Sequence, residues 1–402
     1  MYTLRPYQAE AVAHAVDFFK SERRERPILV LPTGSGKSLI IASTAKELTG
    51  NVLILQPSKE LLEQNYRKYE DAIQGHPELE SASLYSASVG VKERGRVTFA
   101  TIGSICNQPE LFADTHHIIV DECHYVPPSD KDDIEAGGGS MYTKFFAKLP
   151  EAQVLGLTAT PYRLKTYNYP EKHSKINLLT REKPLFFNRF LYVVQTAEMY
   201  AGGFLAPVNY ISMKWDGSFL KFNSTGAEYS DKSVQEALER NEILQKIPGI
   251  LKQAFEKGRK SCLVFVRTVE EARQLAATVP FSEYVHAETP KRERAEIIKA
   301  FKNGGIKTLF NVSVLTTGFD YPALDTIIIA RPTASLALFV QMVGRGIRKA
   351  EGKDHCTLVD MCGNLARFGK LEELRIVNDQ FKGWVLRNDK QILSARRLDD
   401  LG

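Results

Sequence analysis

A chain of 402 residues, 43% hydrophobic and 25% charged, is long enough for two or three packed domains and ordinary in composition for a globular protein. No run reaches the roughly 18–20 apolar residues of a membrane helix, and the N-terminus has no apolar signal core, so the expectation is a cytoplasmic protein with no membrane partner. Five scattered cysteines with no Cys-x-x-Cys pair argue against a disulfide framework or a four-ligand zinc site, and a net charge of +5 permits a polyanionic partner without requiring one.

The first predicted element is an amphipathic helix, Ala9 to Lys20, with Val12, Ala15, Val16 and Phe19 on one side. Arg5 and Gln8 precede and open it. An amide both donates and accepts, which suits an adenine edge, although a solvated helix start is the plainer use of the pair. An apolar run from Pro27 then ends in Leu31-Pro32-Thr33-Gly34-Ser35-Gly36-Lys37-Ser38 and passes into a helical pattern at Leu39. Strand, glycine-interrupted turn, helix is the order of a phosphate cradle: backbone N–H groups turn inward, the helix adds its positive end, Lys37 supplies a point charge and Ser38 a hydroxyl for magnesium. Leu31 stands where the strict pattern wants glycine, so a plain turn before a buried helix is the competing reading of this stretch alone.

Short apolar strands follow at Asn51–Gln56, Arg96–Thr101, Ile118–Glu122 and Val154–Thr160, separated by helical stretches, as in a parallel sheet buried on both faces. Ligands sit at the carboxyl ends of such strands. The informative residues lie there: Pro57-Ser58-Lys59 after the second, Thr101-Ile102-Gly103 after the third, Asp121-Glu122 at the end of the fourth, and Thr158-Ala159-Thr160 at the end of the fifth. Adjacent carboxylates on a strand end are what magnesium binding and activation of an attacking water require. Residues 127–141 read as an acidic, Gly-rich surface loop, and the segment from Thr196 to Pro207 as a capped helical turn serving as a hinge.

The second half repeats this grammar without a phosphate loop. A helical region from Asp231 to Lys257, interrupted at Pro248, leads to strands at Ser261–Val266, Tyr284–His286, Lys307–Val312, Asp325–Arg331 and Cys356–Asp360, with a helix over Lys291–Phe301. Arg345 and Arg348 stand three apart, the first inside a Gly-x-Gly. Arginine stays charged and binds phosphate bidentately, so the pair suits a γ-phosphate held by another lobe. Arg331 and Lys349 read as solvated residues, and the tail from Leu365 as a helix packed on the second lobe.

Taken in order, Arg5/Gln8, LPTGSGKS (31–38), QPSKELLEQ (56–64), TIGSI (101–105), DECH (121–124), TATPYR (158–163), TTGFD (316–320) and QMVGRGIR (341–348) resemble the superfamily 2 helicases of the DEAD/DEAH type over nearly the whole chain. TATPYR, the stretch 196–207 and Leu358 to Gly369 are similar to the bacterial RadD branch, DNA-repair helicases. That branch continues into a cysteine-rich zinc-binding segment with no counterpart here, so the expectation is a shortened relative, such as a phage form, or a piece of a longer chain.

The resemblance implies an α/β fold of two tandem RecA-like domains, each a mostly parallel sheet with helices on both faces: residues 1–205, residues 206–375 and a tail, 376–402. It implies ATP and Mg2+ as ligands. Arg5 and Gln8 would read adenine, Thr33, Gly34, Ser35, Gly36 and Lys37 would hold phosphates, and Ser38 and Asp121 would hold the metal. Glu122 would be the base, Gln341 a water positioner, Arg345 and Arg348 the arginine fingers, and Asp320 a nucleotide contact. His124, Thr158 and Thr160 would couple hydrolysis to lobe movement. Pro57, Ser58, Thr101, Gly103, Arg267, Thr268 and Thr316 would touch a nucleic-acid backbone. The activity implied is a monomeric motor on single-stranded or forked DNA in repair or recombination, with a single-strand-binding protein or recombinase as partner. An RNA helicase, a nucleotide-switched clamp that does not unwind, and the motor subunit of a restriction or defence complex stay open beside it.

Overall fold

The computed structural model describes residues 3–21, 23–77, 79–128, 139–168, 173–315 and 319–394. They fall into two compact units, Met1–Tyr162 with Asn177–Val194, and Arg163–Ile176 with Gln195–Gly402. The boundary expected at 205/206 therefore moves to 194/195, and the tail is not separate but part of the second unit. The cause is local. Gln195 begins a helix of the second unit, and its amide bonds Ile376 in both directions, Nε2 to the Ile376 carbonyl at 2.7 Å and Oε1 from the Ile376 N–H at 3.2 Å.

In the first unit, helix α1 (Pro6–Lys20) leads to strand β1 (Pro27–Val30), α2 (Lys37–Glu47), β2 (Asn51–Gln56) and α3 (Lys59–Ile73). Strands β3 (Ser83–Ser86), β4 (Val91–Lys92) and β5 (Val97–Thr101), a turn of helix α4 (Ile102–Ile105), β6 (Thr115–Asp121), α5 (Met141–Ala147) and β7 (Gln153–Thr158) follow. The chain then leaves through a hairpin, β8 (Tyr162–Tyr167) and β9 (His173–Leu178), and returns to β10 (Arg189–Val193). The sheet runs β10-β1-β7-β6-β2-β5-β3-β4, parallel except for the β3–β4 pair. Every residue of β1 is buried, and so are the last five of β2, as a strand covered on both faces must be. Register brings the strand ends together: Val30 pairs with Thr158 and Asp121 with Leu157.

The second unit starts with α6 (Thr196–Ala201), β11 (Val208–Ser212), α7 (Asp231–Arg240), α8 (Ile243–Glu256), β12 (Cys262–Phe265), α9 (Val269–Thr278) and β13 (Ser282–Val285). It continues with α10 (Lys291–Lys302), β14 (Thr308–Asn311), β15 (Thr326–Ile329), α11 (Leu336–Val343), β16 (Cys356–Asp360), α12 (Asn364–Phe368), β17 (Arg375–Asp379) and β18 (Gly383–Arg387). Its main sheet, β11-β16-β15-β12-β14-β13, is parallel throughout. Both units are thus α/β layers of the RecA-like kind.

Two expectations fail here. The break in the helical region lies at Asn241-Glu242, where Glu242 takes a left-handed φ of 52°, and Pro248 sits within α8 on its exposed face. A proline one turn into a helix forfeits one hydrogen bond, and on a solvated face water satisfies the carbonyl left over. The tail is not a helix but the β17–β18 hairpin: Asp379 Oδ1 accepts from the N–H groups of Phe381 and Lys382, closing the turn, and buried Ile376 and Leu386 face each other. The loop expected at 127–141 falls mostly on 129–138, outside the described residues.

Candidate nucleotide-hydrolysis site

In the first unit the phosphate loop leaves β1 at Leu31, whose N–H bonds the Thr158 carbonyl at 2.9 Å. A leucine is accepted here because its side chain is fully buried. Gly34 and Gly36 take positive φ, 83° and 79°, and Gly36 is the N-cap of α2, so the loop's N–H groups and the helix start converge in front of Lys37. A Cβ at Gly36 would lie 2.6 Å from Gln8 Nε2. Gln8 explains itself by that contact: its amide donates to the Ser35 carbonyl at 2.7 Å and accepts from the Arg5 N–H at 2.8 Å, while Tyr7 Oη donates to the same Ser35 carbonyl at 3.0 Å. The Arg5/Gln8 pair thus holds the phosphate loop from behind.

Lys37 Nζ lies 3.0 Å from Glu122 Oε1, the two side chains only 14% and 15% exposed. Asp121 is buried at the end of β6, with Oδ2 accepting from Asn65 Nδ2 at 2.9 Å and Oδ1 from the Glu122 N–H at 2.9 Å. Glu122 then turns through a left-handed φ of 48°. Its Oε2 meets His124 Nδ1 at 3.3 Å and accepts from Thr158 Oγ1 at 3.4 Å, and the same His124 nitrogen lies 2.9 Å from Thr158 Oγ1 and 3.3 Å from Thr160 Oγ1. The DECH and TAT segments are therefore one polar cluster. Burial, then the Glu122 charge, pushes the Asp121 carboxyl up. Burial also acts upward on Glu122, but Lys37 and His124 together outweigh it and hold that carboxylate ionised.

The oxygen donors Ser38 and Asp121 suit a hard divalent cation such as Mg2+. Among the described residues no group of three His, Cys, Asp or Glu side chains could hold a metal by itself. The buried Ser35 Oγ has no partner among the described residues, a polar atom inside the cradle left for a ligand or water.

In the second unit, α11 carries Gln341 and is followed by the arginine turn. Arg345 is 7% exposed; its Nη1 donates to the Phe319 carbonyl at 2.8 Å and its Nε to the Gln341 carbonyl at 3.3 Å. Arg348 is less enclosed, donating to the Phe319 carbonyl at 3.1 Å and pairing with Asp320. The arginine turn is thus joined to the Phe319–Asp320 loop, with Arg345 as the anchor and Arg348 at the edge. Arg331, expected to be solvated, is half-buried within the field of Glu228, Arg267 and Glu271, and donates to Ser313 Oγ at 3.1 Å.

Of the backbone contacts expected, Ser58 and Thr268 have hydroxyls occupied as the N-caps of α3 and α9, and Arg267 is paired with Asp231 and Glu271. Pro57 lies just ahead of that Ser58 cap. Thr101 Oγ1 bonds Ser104 Oγ at 2.8 Å, and Gly103 has open space where a side chain would stand. Thr316, with Thr317 and Gly318, lies outside the described residues. Sequence reading missed three supporting side chains: Asn65 on Asp121, Gln64 on Ser38 Oγ at 3.2 Å, and Lys353, whose ammonium donates to the carbonyls of Pro322, Gly346 and Arg348 at 2.8, 2.6 and 2.8 Å. Gln64 and Asn65 stand on one helical turn eight and nine residues past the second strand, which was a signal; Lys353 bonds only carbonyls and gave none.

Residues 1–163 match the family model described as type III restriction enzyme, res subunit, and residues 241–350 match the helicase conserved C-terminal domain. A 51.5 kDa protein of Lactococcus phage (isolate 7-9) is 28% identical over 385 residues, 92% of this chain and 73% of the phage protein. IRC3 of Saccharomyces cerevisiae, provisionally named an ATP-dependent helicase, is 27% identical over 387 residues, 90% of this chain, which spans 51% of the yeast protein's length. The solved structure of the ATP-dependent Type ISP restriction-modification enzyme LlaBIII bound to DNA shares the fold, with a TM-score of 0.63 at 17% identity over 90% of this chain and 28% of that one.

Proposed function

We propose that this chain, a superfamily 2 helicase by its motifs and its res-subunit and helicase C-terminal matches, is a motor that couples ATP hydrolysis to movement along DNA. The observation that carries the reading is the Lys37–Glu122 ion pair, set under the left-handed Gly36 turn and ringed by His124, Thr158 and Thr160. Lys37 exchanges Glu122 for the outer phosphates of ATP. Glu122, kept ionised, is then turned to the attacking water, with Thr158 and His124 fixing its second oxygen. Ser38 and Asp121 would hold Mg2+, which would supply charge neutralisation on the phosphates; Asn65 and the Glu122 N–H keep both Asp121 oxygens oriented. Arg348 stabilises charge on the γ-phosphate, Arg345 and Asp320 hold the turn that presents it, and Gln341 orients the water. Gln8 and Arg5 set the phosphate loop, and His124 with Thr158 and Thr160 passes the state of Glu122 into the segment that leaves the unit at Tyr162. Thr101, Gly103 and Thr316 are the backbone contacts of the track.

DNA is favoured over RNA by the DECH and TATPYR segments, and the RadD-like stretches support a role in repair. A second reading, the motor subunit of a restriction system, is favoured by the res-subunit match over residues 1–163. Steady-state ATPase with no nucleic acid, single-stranded DNA, duplex DNA and RNA at one fixed salt, followed by strand displacement on a fork, tests the set. Stimulation by DNA with displacement is expected. Stimulation by RNA alone overturns the DNA assignment, and stimulation by duplex without displacement favours the restriction motor.

A further inference from the structure

Two fully buried amides beneath α3 have hydrogen-bonding capacity that no described residue uses. Gln56, at the end of β2, is 0% exposed, and neither its Nε2 nor its Oε1 has a partner among the described residues. Asn65, on α3 and equally buried, gives Nδ2 to Asp121 Oδ2 at 2.9 Å and leaves Oδ1 without a partner among them. Buried polar groups are nearly always bonded, so a glutamine idle at both atoms works against the fold and points to a task beyond folding.

Its position indicates the task. Gln56 is in register with Thr101 of β5, and one residue past the last pair of β2 with β6, Leu55 and Val120, the position opposite it is Asp121. Thr101 shares a sheet face with Phe99, two residues earlier, and Tyr66 and Tyr69 of α3 pack on Phe99 with ring centroids 6.1 and 6.0 Å away. Asp121 meets the same helix through Asn65. Gln56 therefore stands beneath α3, between a hydroxyl assigned to the track and a carboxylate assigned to the metal.

We propose that Gln56 is a positioning residue that relays strand contact at Thr101 to the metal ligand Asp121; this rests on the motor reading. The donors and acceptors run in one direction: Thr101 Oγ1 to Gln56 Oε1, Gln56 Nε2 to Asn65 Oδ1, Asn65 Nδ2 to Asp121 Oδ2. The last link is made in the structure, while Thr101 Oγ1 lies 2.8 Å from Ser104 Oγ instead. Movement of the Thr101–Gly103 loop onto a phosphate backbone turns the hydroxyl to Gln56 and closes the chain. Asn65 is then held from both sides, and Asp121 is fixed for its ion only when a strand is on the track.

The test is a Mg2+ titration of the whole chain and its Gln56→Met variant, read by fluorescence of a bound mant-labelled, non-hydrolysable ATP analogue, with and without saturating oligo-dT. In wild type, oligo-dT is expected to lower the half-saturating Mg2+ concentration about 5-fold or more, the lower end of ordinary coupling between sites. Gln56→Met keeps the side chain's length and removes the idle amide, so the shift is expected to vanish while the thermal midpoint holds or rises. A glutamine that only seats internal water would do the reverse, with the midpoint lowered and the shift intact. If wild type shows the shift and the variant keeps it, or if oligo-dT stimulates wild-type turnover with no shift in Mg2+, the relay is wrong while the motor stands. If wild type neither binds oligo-dT nor is stimulated by it, the DNA motor reading itself falls. Should Gln56→Met unfold, Thr101→Val, which removes only a half-buried hydroxyl, carries the test with the same expected loss of the shift.

Discussion

Replacing Lys353 by methionine isolates a contact that no motif announces. Its ammonium is the common donor to the carbonyls of Pro322, Gly346 and Arg348, at 2.6–2.8 Å, and so ties the turn bearing Arg348 to the loop bearing Asp320. A hydrogen bond to a charged group is worth about 1.5–3 kcal/mol net, but three that share one desolvated ammonium do not add. Methionine keeps the stem's packing and relieves the charge's desolvation, so the expected loss is about 2–3 kcal/mol. In a unit of roughly 220 residues each kcal/mol moves the midpoint by about 2–4 °C, giving a fall of about 4–12 °C. Differential scanning calorimetry reads that shift, and steady-state ATPase at saturating ATP reads the second consequence, a fall in kcat with little change in KM, because Arg348 is loosened rather than removed. Lys349→Met, at the exposed neighbour, is the control and should stay within about 0.5 kcal/mol of wild type. An unchanged midpoint and kcat for Lys353→Met would refute the clamp.

Glu122→Gln should abolish ATP turnover while nucleotide binding persists; near wild-type turnover would remove Glu122 from the chemistry. Arg348→Ala should lower kcat by about 10³-fold or more with binding largely spared, whereas Arg345→Ala, which empties a buried site under Phe319, should first lower the thermal midpoint. Gly156→Ala would bring a methyl to 2.7 Å from Cys123 Sγ and 2.8 Å from Phe187, overpacking the floor of the DECH turn at a cost of about 1–3 kcal/mol in urea unfolding. Burial, and then His116, lowers the pKa of His117, so below about pH 6.5 the unfolded chain takes up a proton that the folded ring refuses. Stability attributable to this group is therefore lost as pH falls through that window, and His117→Gln should flatten the urea midpoint between pH 7.5 and 5.5.

The elements with a strong period were legible. A run buried on both faces, such as Ile28 to Leu31, has nowhere to go but a central strand, and glycines at 34 and 36 have one plain reason to be there. Where the sequence misled, a side chain from far along the chain had decided the matter. Arg331 reads as solvated until Glu228, a hundred residues earlier, is brought beside it. The tail reads as a helix until Asp379 is seen to bond two N–H groups and make a turn. Ser58 and Thr268 show the opposite error: hydroxyls at strand ends look like ligands for phosphate, yet local capping uses them first.

The wedge of Gln8 behind Gly36 has a practical outcome at the bench. Trimming the chain past that glutamine would let the cradle slump and blunt its hold on ATP without deleting any atom that meets the nucleotide's phosphates. A purification tag joined directly ahead of α1 risks the same slackening, so a mute preparation tagged there would speak about the tag and not about the enzyme.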